Sequence, residues 1–79
     1  MKKKISIEYC TSWGYLARAV ALSEKVLNEH KLNIADLTII PSQGGVFEIR
    51  VEDMLLFSKT ELGRFPEDGE AEEIIRNAL

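Results

Sequence analysis

The sequence predicts an α/β fold of two layers, with element order βαβββα and both helices on one face of a four-stranded mixed sheet. Three patterns predict it. Residues 3 to 9 and 46 to 51 contain the alternations Ile5-Ser6-Ile7-Glu8-Tyr9 and Phe47-Glu48-Ile49-Arg50-Val51, the period of a half-covered strand. From Trp13 to Glu29 the period becomes helical, with Tyr15, Ala19, Leu22 and Val26 on one stripe. The chain closes on a second amphipathic segment whose stripe is Ala71, Ile74, Ile75 and Ala78. A strand covered on both faces would read as nearly continuous apolar residues. The alternation therefore places both helices on one side and leaves the other at least partly wet.

Each element has its own warrant. In the first strand Ile5, Ile7 and Tyr9 point one way and Ser6 and Glu8 the other. In the first helix Leu16, Val20 and Leu27 widen the apolar stripe, and Arg18, Ala21, Glu24, Lys25 and Asn28 take the opposite side. Thr11 or Ser12 offers an N-cap, Lys25 and Glu29 an i,i+4 pair, and Lys31-Leu32-Asn33 an exit. Leu37 to Ile40 reads as a second strand ended by Pro41, which has no N–H for a ladder. A right-handed crossover makes it parallel to the first. Ser42-Gln43-Gly44-Gly45 is a loop, and Val46–Val51 and Met54–Ser58 form a hairpin around Glu52-Asp53, without the favoured Asn-Gly pair. Gly63 to Pro66 is a loop, and Asp68 caps the final helix. Val46, Met54 and Leu56 put apolar groups on the wet face, which suggests a partner surface and a homodimer through the open sheet.

Composition bounds the function. Seventy-nine residues make one domain, spanning 1–79, with a single core; a chain this size removes only about 60–65% of its extended surface from water. No segment approaches the roughly 20 apolar residues of a membrane span. Lys2, Lys3 and Lys4 lead into an alternating strand rather than the apolar run of a signal peptide, so the cytosol is the expected location. The net charge of -3, with no basic face behind that lysine tip, argues against nucleic acid. One cysteine forms no internal disulfide and no structural zinc site. No tightly bound cofactor is implied. Glu52, Asp53, Glu61, Glu67 and Glu70 read as solvated turn and cap residues.

The chemistry concentrates at Cys10, where a strand gives way to a helix N-terminus. Backbone N–H groups and aligned peptide dipoles there favour a thiolate. The alternative is a small buried hydrophobe. Cys10-Thr11-Ser12-Trp13 has the spacing of a CxxC motif, but its last position is an indole, which cannot attack sulfur or close a disulfide. Any chemistry is therefore monothiol, with a resolving thiol from outside: a protein, or a small molecule such as glutathione as co-substrate. Thr11 and Ser12 flank the sulfur, and Gly44-Gly45 form a turn beside the cysteine loop. Three uses remain open for Trp13: capping the core, shielding the sulfur, or anchoring a partner. His30 lies at the far end of a helix of about 17 residues, roughly 25 Å long, too distant to serve Cys10 as a base. Lys59 and Arg64 are the candidate positive charges near a thiolate or a glutathione carboxylate.

The run Tyr9-Cys10-Thr11-Ser12-Trp13-Gly14-Tyr15, with Arg18 following, resembles the signature of the Rdx family, the selenoprotein W/T/H type. Gly45-Val46-Phe47-Glu48-Ile49, Leu56-Phe57-Ser58-Lys59 and Gly63-Arg64-Phe65-Pro66 resemble further blocks of that family. The resemblance implies a thioredoxin-like fold with strand order 2-1-3-4 and a thiol redox role. It assigns the attacking thiol to Cys10 and the second Cys or selenocysteine position to Trp13. A competing reading is a protein-binding module that kept the fold and lost dithiol exchange.

Overall fold

Strand β1 (Lys3–Cys10) runs through the interior of the sheet. Strand β2 (Ile34–Ser42) lies parallel to it on one side and β3 (Phe47–Val51) antiparallel on the other. Strand β4 (Met54–Ser58) completes the order β2-β1-β3-β4. The structure is a computed structural model and describes residues 2–79. Helix α1 (Tyr15–His30) connects β1 to β2, a single helical turn α2 (Lys59–Leu62) follows β4, and α3 (Glu70–Ala78) ends the fold. The βαβββα order and the sheet order both match the sequence reading. The turn α2 was not expected; the Ser58 hydroxyl caps it by accepting the Glu61 N–H, and Gly63 closes it.

One core fills the space between sheet and helices. Ile5, Ile7, Phe47, Ile49, Val51 and Phe57 meet Tyr15, Ala19, Leu22 and Val26 of α1 and Ala71 and Ile75 of α3. The opposite face is polar and cross-linked: the Arg50 guanidinium reaches Glu8 at 3.4 Å, and the Ser58 hydroxyl donates to Glu48 at 2.7 Å. Leu16, Val20 and Leu27 do not widen the buried stripe; all three remain exposed because the sheet is only wide enough to cover one flank of α1. Leu56 packs against the core instead of lying on the wet face, because the β3–β4 register shifts between Ile49 and Arg50. Met54 stays exposed and Val46 half-buried.

Several local expectations are corrected. Pro41 lies inside β2 rather than ending it. The Ser42 carbonyl, which accepts the Thr11 N–H, points toward β1, so its neighbour Pro41 turns its missing donor to the free edge of an outer strand. Neither Thr11 nor Ser12 caps α1, since Gly14 is its N-cap with no side-chain bond. Asp68 does not cap α3 either; Gly69 holds that position, and the Glu70 carboxylate accepts the Glu67 N–H. Lys25 and Glu29 do not pair within α1. Both reach across to α3, Lys25 to Glu72 at 3.7 Å and Glu29 to Arg76 in a two-pronged pair. Cross-helix partners win because α3 presents opposite charges at the same height. The turn at Glu52-Asp53 manages without Asn-Gly: Glu52 takes φ 56°, and is tied back to Lys4 through its N–H at 2.8 Å and its carboxylate at 2.6 Å.

Phe47 is 2% exposed and sits where both helices meet the sheet. Phe47→Ala is expected to lower unfolding free energy by about 3–5 kcal/mol in urea titration, against under about 1 kcal/mol for the exposed Leu27→Ala. A second outcome concerns acid. Glu70 is depressed to about 2, chiefly by its hydrogen bonds from Arg64 and then by the Glu67 N–H. A lowered carboxylate contributes stability above its unfolded pKa and loses it as pH falls from about 4.5 to about 2. Glu70→Gln is expected to flatten the acid-unfolding curve in that window while leaving the curve above it parallel to wild type.

Candidate functional site

The site is set by connectivity. β1 is interior, β2 ends beside its C-terminal end, and β3 starts there, so the β2–β3 loop must cross the end of β1. That crossing brings Gly44 and Gly45 to Cys10. Two backbone bonds fix it: Cys10 N–H to the Val46 carbonyl at 2.9 Å and Thr11 N–H to the Ser42 carbonyl at 3.1 Å. Gly44 and Gly45 adopt φ 83° and 74°, a left-handed pair that residues with a Cβ rarely supply. The Tyr15 hydroxyl lies 3.7 Å from where a Cβ on Gly45 would stand, so this tyrosine backs the loop from the helix side.

Cys10 is only 2% exposed. Its thiol nevertheless ionises more readily than a free cysteine, first because the Ser12 backbone N–H points at the sulfur, then through the Gly45 N–H, the Ser12 hydroxyl and the Gly44 N–H. Burial opposes these donors and is outweighed. The sequence reading credited the helix N-terminus with this effect. In the structure α1 begins at Tyr15, five residues on, so two loops supply the donors instead. The site thus joins Cys10, Ser12, Gly44 and Gly45, while Thr11 borders it and holds the loop to β2.

Trp13 is placed neither on the core nor over the sulfur. It is 84% exposed, with φ 55°, followed by Gly14 at φ 77°. The two left-handed residues turn the chain from the cysteine loop into α1. Gly14 has open space around a would-be Cβ, so conformation rather than crowding calls for glycine there. The Trp13 ring stands 6.5 Å from Tyr15, which packs edge-on at 4.8 Å against Phe65. Arg18 lies 3.9 Å over the Phe65 ring and Lys59 5.3 Å from it. Lys59 is therefore a cation beside the Tyr15 and Phe65 rings, and Arg64 is bound to Glu70 at 2.7 and 3.0 Å.

Sequence reasoning missed this Tyr15–Phe65–Arg18 stack. Phe65 stood in a segment read only as a loop, and a cation 47 residues away in sequence carries no local signal of stacking. A groove of about 160 Å³ lies beside it, lined in part by Arg18, Lys25, Phe65 and Glu72. His30, expected at the last carbonyls of α1, is largely buried, with Nε2 3.6 Å from Glu29 and no hydrogen-bond partner among the described residues. No cluster of three or more His, Cys, Asp or Glu suited to a metal occurs among the described residues. No described helix is long and apolar enough to cross a membrane.

Comparison with known proteins agrees with this architecture. A mouse protein, migration and invasion enhancer 1 (Mus musculus), is 36% identical over 76 residues, covering 94% of this chain and 63% of that protein. The chain thus spans less than two thirds of that relative's length. A crystal structure from Bordetella parapertussis superposes with TM-score 0.91 at 28% identity, over 100% of both chains. A selenoprotein W-related protein from Vibrio cholerae superposes with TM-score 0.90 at 27% identity, over 99% of this chain and 98% of that one. The family model of Rdx matches residues 4–77. This chain belongs to the Rdx family, and carries a single cysteine where the pattern it resembles has a pair.

Proposed function

We propose that the chain is a monothiol redox protein working through Cys10. What supports this reading is the β2–β3 loop crossing the end of β1 at Cys10, which sets Ser12, Gly44 and Gly45 about a thiol whose pKa they lower despite its burial. The Cys10 thiolate attacks one sulfur of a disulfide, forming a mixed disulfide and releasing the other sulfur as a thiolate. An external thiolate then attacks the mixed disulfide, restores Cys10 and leaves as part of a new disulfide. Trp13 supplies no second sulfur, so the resolving thiol comes from another molecule, with glutathione as the small-molecule candidate. Cys10 is the nucleophile, and Ser12, Gly44 and Gly45 stabilise its anion. Thr11 holds the loop in place.

A second reading has its own support. Cys10 is nearly covered while Trp13 is presented to solvent, an arrangement that also suits a binding module without exchange chemistry. The two separate on thiol reactivity. The rate of alkylation by iodoacetamide is expected to rise with pH to a plateau, with a midpoint below the roughly 8.5 of a free cysteine. Cys10→Ser is expected to abolish alkylation while the protein keeps its fold. Incubation with oxidised glutathione is expected to add one glutathione by mass spectrometry. A native thiol inert at about pH 8, just under the ordinary value, rejects the redox reading.

Restoring the missing thiol tests the scaffold. Because the indole is exposed, Trp13→Cys is expected to change stability by about 0.5 kcal/mol or less, and oxidation is expected to close a disulfide to Cys10. Measurement of the reduction potential then places the scaffold on the thiol scale. Failure to close under oxidant would mean that the left-handed turn at position 13 holds the two sulfurs out of bonding geometry.

A further inference from the structure

Of the chain's four arginines, Arg18 alone has no carboxylate partner among the described residues; Arg50, Arg64 and Arg76 hold Glu8, Glu70 and Glu29. Its guanidinium lies 3.9 Å over the Phe65 ring instead. Lys59 Nζ stands 5.3 Å from the same ring, and it too has no ion pair among the described residues. Contacts lead from these cations to the thiol. Lys59 is 5.5 Å from the Tyr15 ring, and the Tyr15 hydroxyl backs Gly45, whose N–H faces the Cys10 sulfur. The sheet register agrees. Tyr9 pairs with Phe47 and Glu48 with Ser58, so Lys59 leaves β4 at the Cys10 end of the sheet, two strands from β1. That is about 10 Å at about 4.8 Å per strand. We propose that Arg18 and Lys59, set about Phe65, form an anion subsite that holds a carboxylate of the disulfide reacting at Cys10. The proposal rests on the monothiol reading and names its substrate class: a peptide-type sulfur compound with a carboxylate within a residue or two of the sulfur.

Charge selects the occupant. The two loops about Cys10 carry none, since residues 9–17 and 42–47 are all uncharged. A charge on the incoming molecule is therefore met further out, where Tyr15 leads from the thiol to Lys59 and Phe65. Two cations against one ring repel each other, and an anion between them turns that repulsion into attraction. A guanidinium stacked on a ring keeps its edge N–H groups for a planar acceptor such as a carboxylate, and a half-buried ammonium adds a point charge. The neighbouring acids fix how large the anion can be. Glu67 and Asp68 line the groove beyond Phe65, which turns a long polyanion away and leaves the Arg18 end for one or two carboxylates. Glu8 and Glu48 lie on the other face of the sheet, engaged with Arg50 and Ser58. Glutathione and a cysteine peptide with acidic neighbours both present a carboxylate at this reach.

The test uses two pairs of 2-pyridyl disulfides: glutathione and its diethyl ester, and a capped glutamate-cysteine-glutamate peptide and its glutamine counterpart. Cys10 thiolate attacks the substrate sulfur and the Cys10–substrate disulfide forms. Pyridine-2-thiolate leaves with the electron pair of the broken bond, takes a proton and is read by its absorbance as the thione. Each rate is divided by that of mercaptoethanol with the same probe, which removes differences in electrophilicity. At low ionic strength the wild type is expected to favour the acidic member of a pair about tenfold, the factor that about 1.4 kcal/mol supplies, and salt is expected to shrink the ratio. A ratio confined to the first pair assigns the carboxylate to glutathione, and one confined to the second assigns it to an acidic peptide. Arg18→Gln/Lys59→Gln is expected to erase the ratio while uncharged iodoacetamide alkylates Cys10 at the wild-type rate, because neither cation is among the groups that lower its pKa. Arg18→Lys/Lys59→Arg keeps both charges and is expected to keep most of the ratio. Lys2→Gln/Lys4→Gln removes the same charge from the far end of β1 and is expected to keep all of it. Wild-type ratios near one in both pairs overturn the subsite. A glutamine double variant that retains the preference, or an equal loss in the Lys2 and Lys4 variant, overturns it as well.

If Cys10 proves inert to iodoacetamide, the monothiol reading fails and the subsite is judged separately. S-methylglutathione and the acidic peptide carrying serine for cysteine have no reacting sulfur. Titration of either into the millimolar range is expected to give saturable NMR shifts at the Lys59 and Phe65 amides and the Arg18 Nε–H, absent with the ester or the glutamine peptide. No saturable shift with either acid overturns the subsite whatever the thiol does.

Discussion

The interior position of β1 is the constraint on which the site depends. β2 and β3 flank it, one parallel and one antiparallel, so the loop joining them must pass over the end of β1 where Cys10 stands. Backbone hydrogen bonds from Cys10 to Val46 and from Thr11 to Ser42 lock that crossing. The thiol's anion donors are then backbone groups of two loops, held by the sheet itself. Backbone donors in loops pinned at both ends to a sheet reorganise little when a charge forms, which is what makes such groups effective at stabilising an anion.

The same constraint shares out the surface of α1. Its buried stripe covers β1 and β2, its Arg18 and Lys25 flank faces α3, and its Leu16–Val20 flank is left over. Four strands and two long helices are too few to enclose a 16-residue helix on all sides. The aromatic stack of Tyr15 and Phe65 with Arg18 lies on the side of α1 that faces α3.

In this family the usual pattern supplies both sulfurs from one loop. Here the loop carries a tryptophan at the second position, and the first lies among positive-φ glycines, a serine able to donate twice, and a tyrosine behind the turn. The exposed indole shows where the replaced residue went: outward, away from Cys10 and away from the core.

The sequence by itself determined the element order and the side each strand turns to the core, and the family resemblance supplied the sheet order. The first two follow from periods of two and 3.6 and from chain connectivity, which are local properties. It also located Cys10 and the glycine pair, because a strand end and a Gly-Gly loop are both readable along the chain. The ends of elements were less legible. Asp68 and Thr11 are good caps in isolation, yet glycines at left-handed φ took both positions, since the approach of the chain to each helix was fixed by packing elsewhere. Pro41 read as a terminator, and only its place on an outer strand made it tolerable within one. Lys25 and Glu29 read as partners, and only the neighbouring helix redirected them. The tertiary structure alone decided that loop donors, not the helix dipole, face the sulfur, and that Trp13 stands in solvent. Both depend on how the five residues from Cys10 to Tyr15 turn and on which loop crosses the end of β1, whose glycines stand more than thirty residues from Cys10 in the chain, an approach that no local pattern encodes.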